Sequence, residues 1–326
     1  VRLRTFQSCF ALLLLAALPT RHAHAQADFV NARTLGVGEA LRANAAGTSA
    51  PQINPAGMSL SKGYNIEADY GINIEQLGHH VFVGIVDSVT SRVAAGLFYE
   101  YIHAEPKLGF NWAGGRLAND TLTRSGHAAG LSLSTALGEK FLIGATVKYL
   151  YFNTTAPLPT VNNIAPSPSS LSLDHVNGVT FDVGLLVRVI PKFNLAATGQ
   201  NLWNHHSQET PTLMGLAAAV IPIQSLSIDF DAVVNFTGYR RAVYDPMDPL
   251  VVKSTVFHAT GRLGPGIEYL IVNKVPIRAG VIYDTGLTAT YVTVGSGYMG
   301  QSFAIDVSYR GKVSGGVEDL LMVGLR

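Results

Sequence analysis

Tyr64, Ile66, Ala68, Tyr70, Ile72 and Ile74 alternate with Asn65, Glu67, Asp69, Gly71, Asn73 and Glu75, and the same period of two returns along the rest of the chain. In an extended strand successive side chains point to opposite faces, so this pattern makes one greasy face and one wet face. A soluble sandwich produces the same alternation, and the decision falls to the number, length and linkage of the segments.

Fourteen such segments are read, at 62–75, 80–87, 91–104, 124–137, 140–153, 176–190, 193–202, 212–221, 225–237, 255–272, 276–284, 289–298, 302–310 and 317–326. Many exceed the roughly 5 to 6 residues usual in soluble strands and match the roughly 9 to 11 needed to cross a bilayer at a tilt. Linkers after even-numbered segments are tight, as in Gly138-Glu139 and Pro191-Lys192, whereas Ala104 to Thr123, Thr154 to His175, Trp203 to Pro211 and Gly238 to Ser254 are long and polar, Pro-rich or Gly-rich. Short turns at one end and long loops at the other describe an all-β transmembrane antiparallel β-barrel of about 14 strands in the outer membrane of a Gram-negative bacterium, with both termini periplasmic. The charges keep to one parity: Asp182 and Arg188 oppose Phe181, Val183 and Leu185, and Asp229 and Asp231 oppose Ile228 and Phe230. Those charges are assigned to the lumen, and the lipid and lipopolysaccharide of the membrane are the partners of the other face.

Composition removes several alternatives. Only 14% of residues are charged and 48% are apolar, which excludes a highly charged disordered chain. Residues 1–25 read as a secretory signal: Arg2 and Arg4, an apolar stretch from Cys9 to Leu18, then Ala23-His24-Ala25 as a cleavage site. Its removal takes three arginines and leaves 20 Lys+Arg against 22 Asp+Glu, a net charge near −2, with no cysteine. That balance offers no counterion-release term for nucleic acid. No later segment approaches the roughly 18 uninterrupted apolar residues of a membrane helix.

Residues 26–61 break the alternation, and 62–326 are read as the barrel. The former are rich in Ala, Gly and Asn and contain Arg33-Thr34-Leu35-Gly36-Val37-Gly38-Glu39-Ala40 followed by Asn54-Pro55-Ala56-Gly57. Small residues permit close packing and Pro55 fixes a turn, so a compact piece inside the lumen is expected. In this stretch the sequence resembles the FadL family of outer-membrane hydrophobic-compound channels and the related PorV-like barrels. The likeness continues in Phe181-Asp182-Val183-Gly184, Gln200-Asn201-Leu202, Gly266-Ile267-Glu268-Tyr269 and Pro276-Ile277-Arg278-Ala279-Gly280. It implies fourteen strands, the number in view when the segments above are divided, and an N-terminal hatch plugging the lumen with Asn54, Pro55, Ala56 and Gly57 as its gating segment. It also implies passive uptake of long-chain fatty acids or other hydrophobic small molecules. The PorV-like alternative is a closed docking subunit for exported proteins, with a secretion-system protein as partner. Compared with fatty acid channels of the family, the chain is short, so its outer loops are expected to be reduced, and it ends in Leu325-Arg326 where an aromatic residue is usual.

Within the third segment, Gly96, Phe98, Glu100 and Ile102 share the lumen parity, so both faces are apolar over a short span and Gly96 weakens the strand. These residues, with Leu150 and Phe152 of the fifth segment, are candidates for a ligand pocket or lateral exit; the plainer reading is contact with the hatch. Lys148, Arg262 and Arg278 are the candidate contacts for a carboxylate headgroup, against the plainer reading that lumen charges pair with one another. No enzyme activity, cofactor or metal is expected. His79-His80 and His205-His206 lack further ligands at metal spacing, and Gly130-Leu131-Ser132-Leu133-Ser134 lacks the second glycine of a nucleophile elbow.

Overall fold

A computed structural model describes residues 31–74, 77–105, 123–157, 170–203, 207, 209–244, 252–315 and 319–326; the signal segment, the start of the hatch at 26–30, and His205-His206 lie outside the described residues. Fourteen strands run from β1 (Tyr64–Asn73) to β14 (Leu320–Leu325), each antiparallel to its neighbours, and β1 pairs with β14 to close the barrel. Closure satisfies every ladder internally, the condition for a sheet to exist in lipid. The other strands are β2 (Gly78–Asp87), β3 (Val93–Ala104), β4 (Thr123–Leu137), β5 (Phe141–Pro157), β6 (Ser170–Ile190), β7 (Phe193–Gln200), β8 (Leu213–Ile223), β9 (Leu226–Tyr244), β10 (Val252–Ile271), β11 (Val275–Asp284), β12 (Ala289–Met299) and β13 (Ala304–Ser314).

The parity read from the sequence is the parity of the wall. Ile66, Tyr70 and Ile72 on β1, Leu131 and Leu133 on β4, and Val179, Phe181 and Val183 on β6 are exposed on the outside, while Glu67, Asp69, Lys148, Asp182, Asp229 and Asp231 are buried inside. An apolar outer belt over a polar lumen identifies the outside as the lipid face of an outer-membrane barrel. Among the described residues no helix is long and apolar enough to cross a membrane.

Two hairpins are longer than expected. Thr154 to Pro157 pair with Asp174 to Ser170, and Tyr239 to Tyr244 pair with His258 to Val252, in stretches assigned above to loops except for Thr255 to His258 of the tenth segment. The backbone ladder runs on through both extensions, with a register shift in each.

Before β1 the chain forms short helices that fill the lumen: α1 (Ala32–Gly36), a 3-10 turn at Gly47–Ser49, α2 (Ala50–Ile53) and a second 3-10 turn at Pro55–Ser59. Asn31 caps α1, its side-chain oxygen accepting from the Thr34 N–H at 3.0 Å. Ala32, Leu35, Val37, Ala40, Ala45, Ala50, Ala56 and Met58 are fully buried. Helices this short do not persist alone; the enclosing wall supplies their stability.

Candidate functional site

Hatch and wall meet through two kinds of contact. Toward β9–β13 ion pairs are added to packing of Val37 and Gly38 on Gly264, Gly266 and Gly280. Arg33 reaches Glu268 on β10 at 2.9 Å, and Arg278 on β11 bridges Glu268 and Asp306, each at 2.6 Å. Arg42 meets Asp231 on β9 at 3.0 Å, and Glu39 is shared by Arg262 at 3.3 Å and Arg310 at 3.1 Å. Toward β3–β6 the contacts are neutral or one-sided. The Thr146 hydroxyl donates to the Pro51 carbonyl at 3.1 Å, the Ser134 hydroxyl to the Ala56 carbonyl at 3.0 Å, and the Gln52 amide to Glu100 at 2.8 Å.

The Asn54 to Gly57 segment is wholly buried. The Asn54 carboxamide accepts from the Ala56 N–H at 3.1 Å and donates to the Arg42 carbonyl at 2.8 Å, tying the two ends of the hatch together. It lies on Gly144 of β5 and Gly184 of β6; a Cβ at the first would strike the Pro55 backbone and at the second the Asn54 side chain. Glycine is required at both positions because the hatch backbone occupies the side-chain space.

Above α2 lies a cavity of about 80 Å³. A water needs roughly 10–15 Å³ of such space, so this is room for a small cluster of waters or a compact ligand. Phe98, Glu100, Ala128, Lys148 and Leu150 form one side, Asp231, Val233, Arg262, Leu263 and Ile282 the other, and Glu39, Arg42, Gln52 and Ile53 of the hatch the floor. Asn201 and Pro211, at the two ends of the β7–β8 connection, also line it. That connection is fastened across the lumen: Arg124 donates to Glu209 at 2.6 Å, Thr154 to Glu209 at 2.8 Å and Ser207 to Asp174 at 2.8 Å.

The apolar side belongs to a cluster of Phe82, Phe98, Ala128, Leu150, Phe152 and Val176, with Ile102 packed against it. Its rings lie flat on the sheet because glycines stand beneath them. A Cβ at Gly130 would fall on the Phe98 ring and one at Gly126 on the Phe152 ring. β4 thus gives up two side chains so that aromatic rings cover the wall without filling the lumen.

The candidate residues therefore separate. Phe98, Glu100, Leu150, Lys148 and Arg262 come together around the cavity, Phe152 and Ile102 stand behind it, and Arg278 lies beneath α1. Gly96 does not open the wall: β3 is paired with β2 and β4 on either side of it without a register shift, and a Cβ there would meet Met58 and Pro51 of the hatch. A discontinuity stands elsewhere, in the β10–β11 ladder, which passes from Leu263–Tyr283 to Gly266–Gly280 and omits Gly264 and Pro265. Proline has no N–H to donate there.

All three candidate headgroup cations are paired, Lys148 with Asp182 at 2.7 Å and Arg262 with Asp284 at 2.8 Å in addition to the contacts above. Reading from sequence missed Arg42, Gln52, Asn201 and Glu209. Arg42 and Asn201 stand within or beside the quoted motifs, but only the closed barrel shows that their side chains share a cavity. His79 faces outward to the Tyr70 hydroxyl and His80 inward to Glu100, as neighbouring strand residues must.

The whole architecture has counterparts among solved structures. A FadL homologue of Pseudomonas aeruginosa superposes with a TM-score of 0.62 over 93% of this chain and 98% of its own, at 15% identity. The chain has the FadL-type barrel fold. The toluene transporter TbuX of Ralstonia pickettii (TM-score 0.59, 16% identity, 89% of this chain and 97% of its own) shares this fold. So does the toluene transporter TodX of Pseudomonas putida (0.58, 14%, 89% and 96%). No protein-family model matches the sequence and no curated protein matches it.

Proposed function

We propose that this barrel passes hydrophobic small molecules, the class that includes long-chain fatty acids and neutral hydrocarbons, inward across the outer membrane by diffusion. The hatch around Asn54, Pro55 and Ala56 is its moving part, and both termini are periplasmic. The observation that carries this reading is the cavity held between the aromatic face of β3–β5 and the hatch floor, a partly apolar space inside a membrane barrel. A barrel that served only as a docking point would have no need of rings laid flat to keep lumen space. The toluene carried by TbuX and TodX is in keeping with this class.

The test is uptake of labelled oleate and of a labelled neutral hydrocarbon by cells lacking their own hydrophobic channel, with the protein confirmed as folded in their outer membrane. Uptake of either above the empty-vector level is expected, and Ala56→Trp is expected to change it while the barrel remains folded. A correctly inserted barrel that takes up neither, and that co-purifies with a stoichiometric protein, would favour the docking role instead.

A further inference from the structure

The charges around the cavity are already balanced among themselves. Its lining cations are Arg42, Lys148 and Arg262, and each contacts a carboxylate: Asp231, Asp182, and both Asp284 and Glu39. Glu100, a further lining carboxylate, is held by Gln52 and His80. Every lining cation is thus already paired with a carboxylate, and Glu39 and Glu100 are held in addition by Arg310 and His80. An entering carboxylate would leave water for a wall whose cations are already paired, and would have to displace a resident carboxylate or lie beside one, both of which are costly.

The hydrogen-bonding atoms without a partner in the same lining point the same way. Gln52 Oε1, Asn201 Oδ1 and Asp231 Oδ1 are buried acceptors with no donor, against one unmatched donor, Arg42 Nε. A buried acceptor left unmet costs free energy that a ligand hydroxyl or a water recovers. The other side of the same space offers Phe98, Ala128 and Leu150 to an apolar body.

From this pairing we infer that the cavity selects uncharged apolar molecules bearing a single hydrogen-bond donor, phenols and medium-chain alcohols being the type, over carboxylates of the same length. The inference rests on the transport reading above and narrows it away from fatty acids. Passage needs the donor to bond in turn with acceptors of the wall, while the aromatic face holds the body.

Three probes with one apolar body decide it: 4-pentylphenol, 4-pentylbenzoate at neutral pH, and pentylbenzene, as labelled compounds in uptake and as titrants of the purified full-length barrel. The phenol is expected to exceed the benzoate by about tenfold in both assays, the factor that a difference of about 1.4 kcal/mol produces, and to exceed pentylbenzene. Asp231→Asn keeps an acceptor for the Leu41 and Arg42 N–H groups, which it serves at 3.2 and 3.1 Å, and leaves the Arg42 cation without its counter-ion. The benzoate-to-phenol ratio is expected to rise several-fold in this variant. Gln52→Leu is expected to narrow the advantage of phenol over pentylbenzene. Benzoate handled as well as phenol by the unmodified barrel, or a ratio unmoved in folded Asp231→Asn, would overturn the inference and leave transport standing. Phenol preferred in binding with no uptake of any probe would do the reverse, and no binding of any probe would end both.

Discussion

The two sides of the lumen hold the same hatch by different means. On β9–β13 paired charges, Arg33 on Glu268, Arg42 on Asp231 and Glu39 on Arg262 and Arg310, are added to the close packing of Val37 and Gly38 on Gly264, Gly266 and Gly280 and to neutral bonds such as Thr293 to the Gly36 carbonyl. On β3–β6 the hatch is held by hydroxyls, an amide and the close approach of Pro55 and Ala56 to Gly144 and Gly184. Paired charges in a lumen are directional and expensive to leave half-made, whereas packing and single neutral hydrogen bonds are each worth little and can be exchanged for water. If the hatch moves as proposed, the side with the added ion pairs is its anchor and the β3–β6 side the one from which it separates at lower cost. The cavity-lining Phe98 lies on that second side.

The comparison is broken most directly at Glu268, which accepts from both Arg33 and Arg278. Glu268→Ala leaves two buried guanidinium groups with reduced compensation, and a loss of about 3–5 kcal/mol is expected in chemical unfolding of the refolded barrel. Protease sensitivity of the hatch should rise with it. A loss below about 1 kcal/mol would remove the charged side's claim to be the anchor.

Outside the barrel the two sides should be indistinguishable, since lipid meets both. Arg at outward Ala145 on β5 and at outward Val281 on β11 are each expected to cost about 2–4 kcal/mol near the bilayer midplane, measured by folding into vesicles. Unequal costs would mean that the inner asymmetry extends through the wall.

Gly130→Val displaces the Phe98 ring toward the cavity, with an expected cost of about 1–3 kcal/mol from overpacking and a reduced uptake of hydrophobic probes. Normal uptake would separate the aromatic face from the ligand route. The smallest effect is expected for Ser134→Ala, which removes one hydroxyl from the Ala56 carbonyl and should cost about 1 kcal/mol. A cost approaching that of Glu268→Ala would erase the distinction between the sides.

Much of the wall is legible in the order of residues alone. Parity separates Val179, Phe181 and Val183 from Asp182, and β1–β14 follow the segments drawn from it, apart from the two extended hairpins. The site is legible only in part. Phe98 and Leu150 are found because an apolar residue on a polar parity stands out, but the same signal at Gly96 points to an interrupted wall where β3 is continuous. An inward position also says nothing of what fills the space before it. Asp69 lies on the lumen parity like Lys148, yet it sits beneath α1 and accepts from the Ala32 N–H at 3.2 Å, so a large side chain has no room there.

Sequence alone determined the face on which each strand residue lies, because period two is a local property of extended backbone and survives any arrangement of strands. Partnership and height were decided by the tertiary structure. Arg33 and Glu268 are 235 residues apart, and Arg42 and Asp231 189 apart. Only closure of β1 on β14 around the hatch brings such pairs within reach, neutralises the cations that a carboxylate ligand would need, and buries the acceptors of Gln52 and Asn201 without a donor beside the cavity.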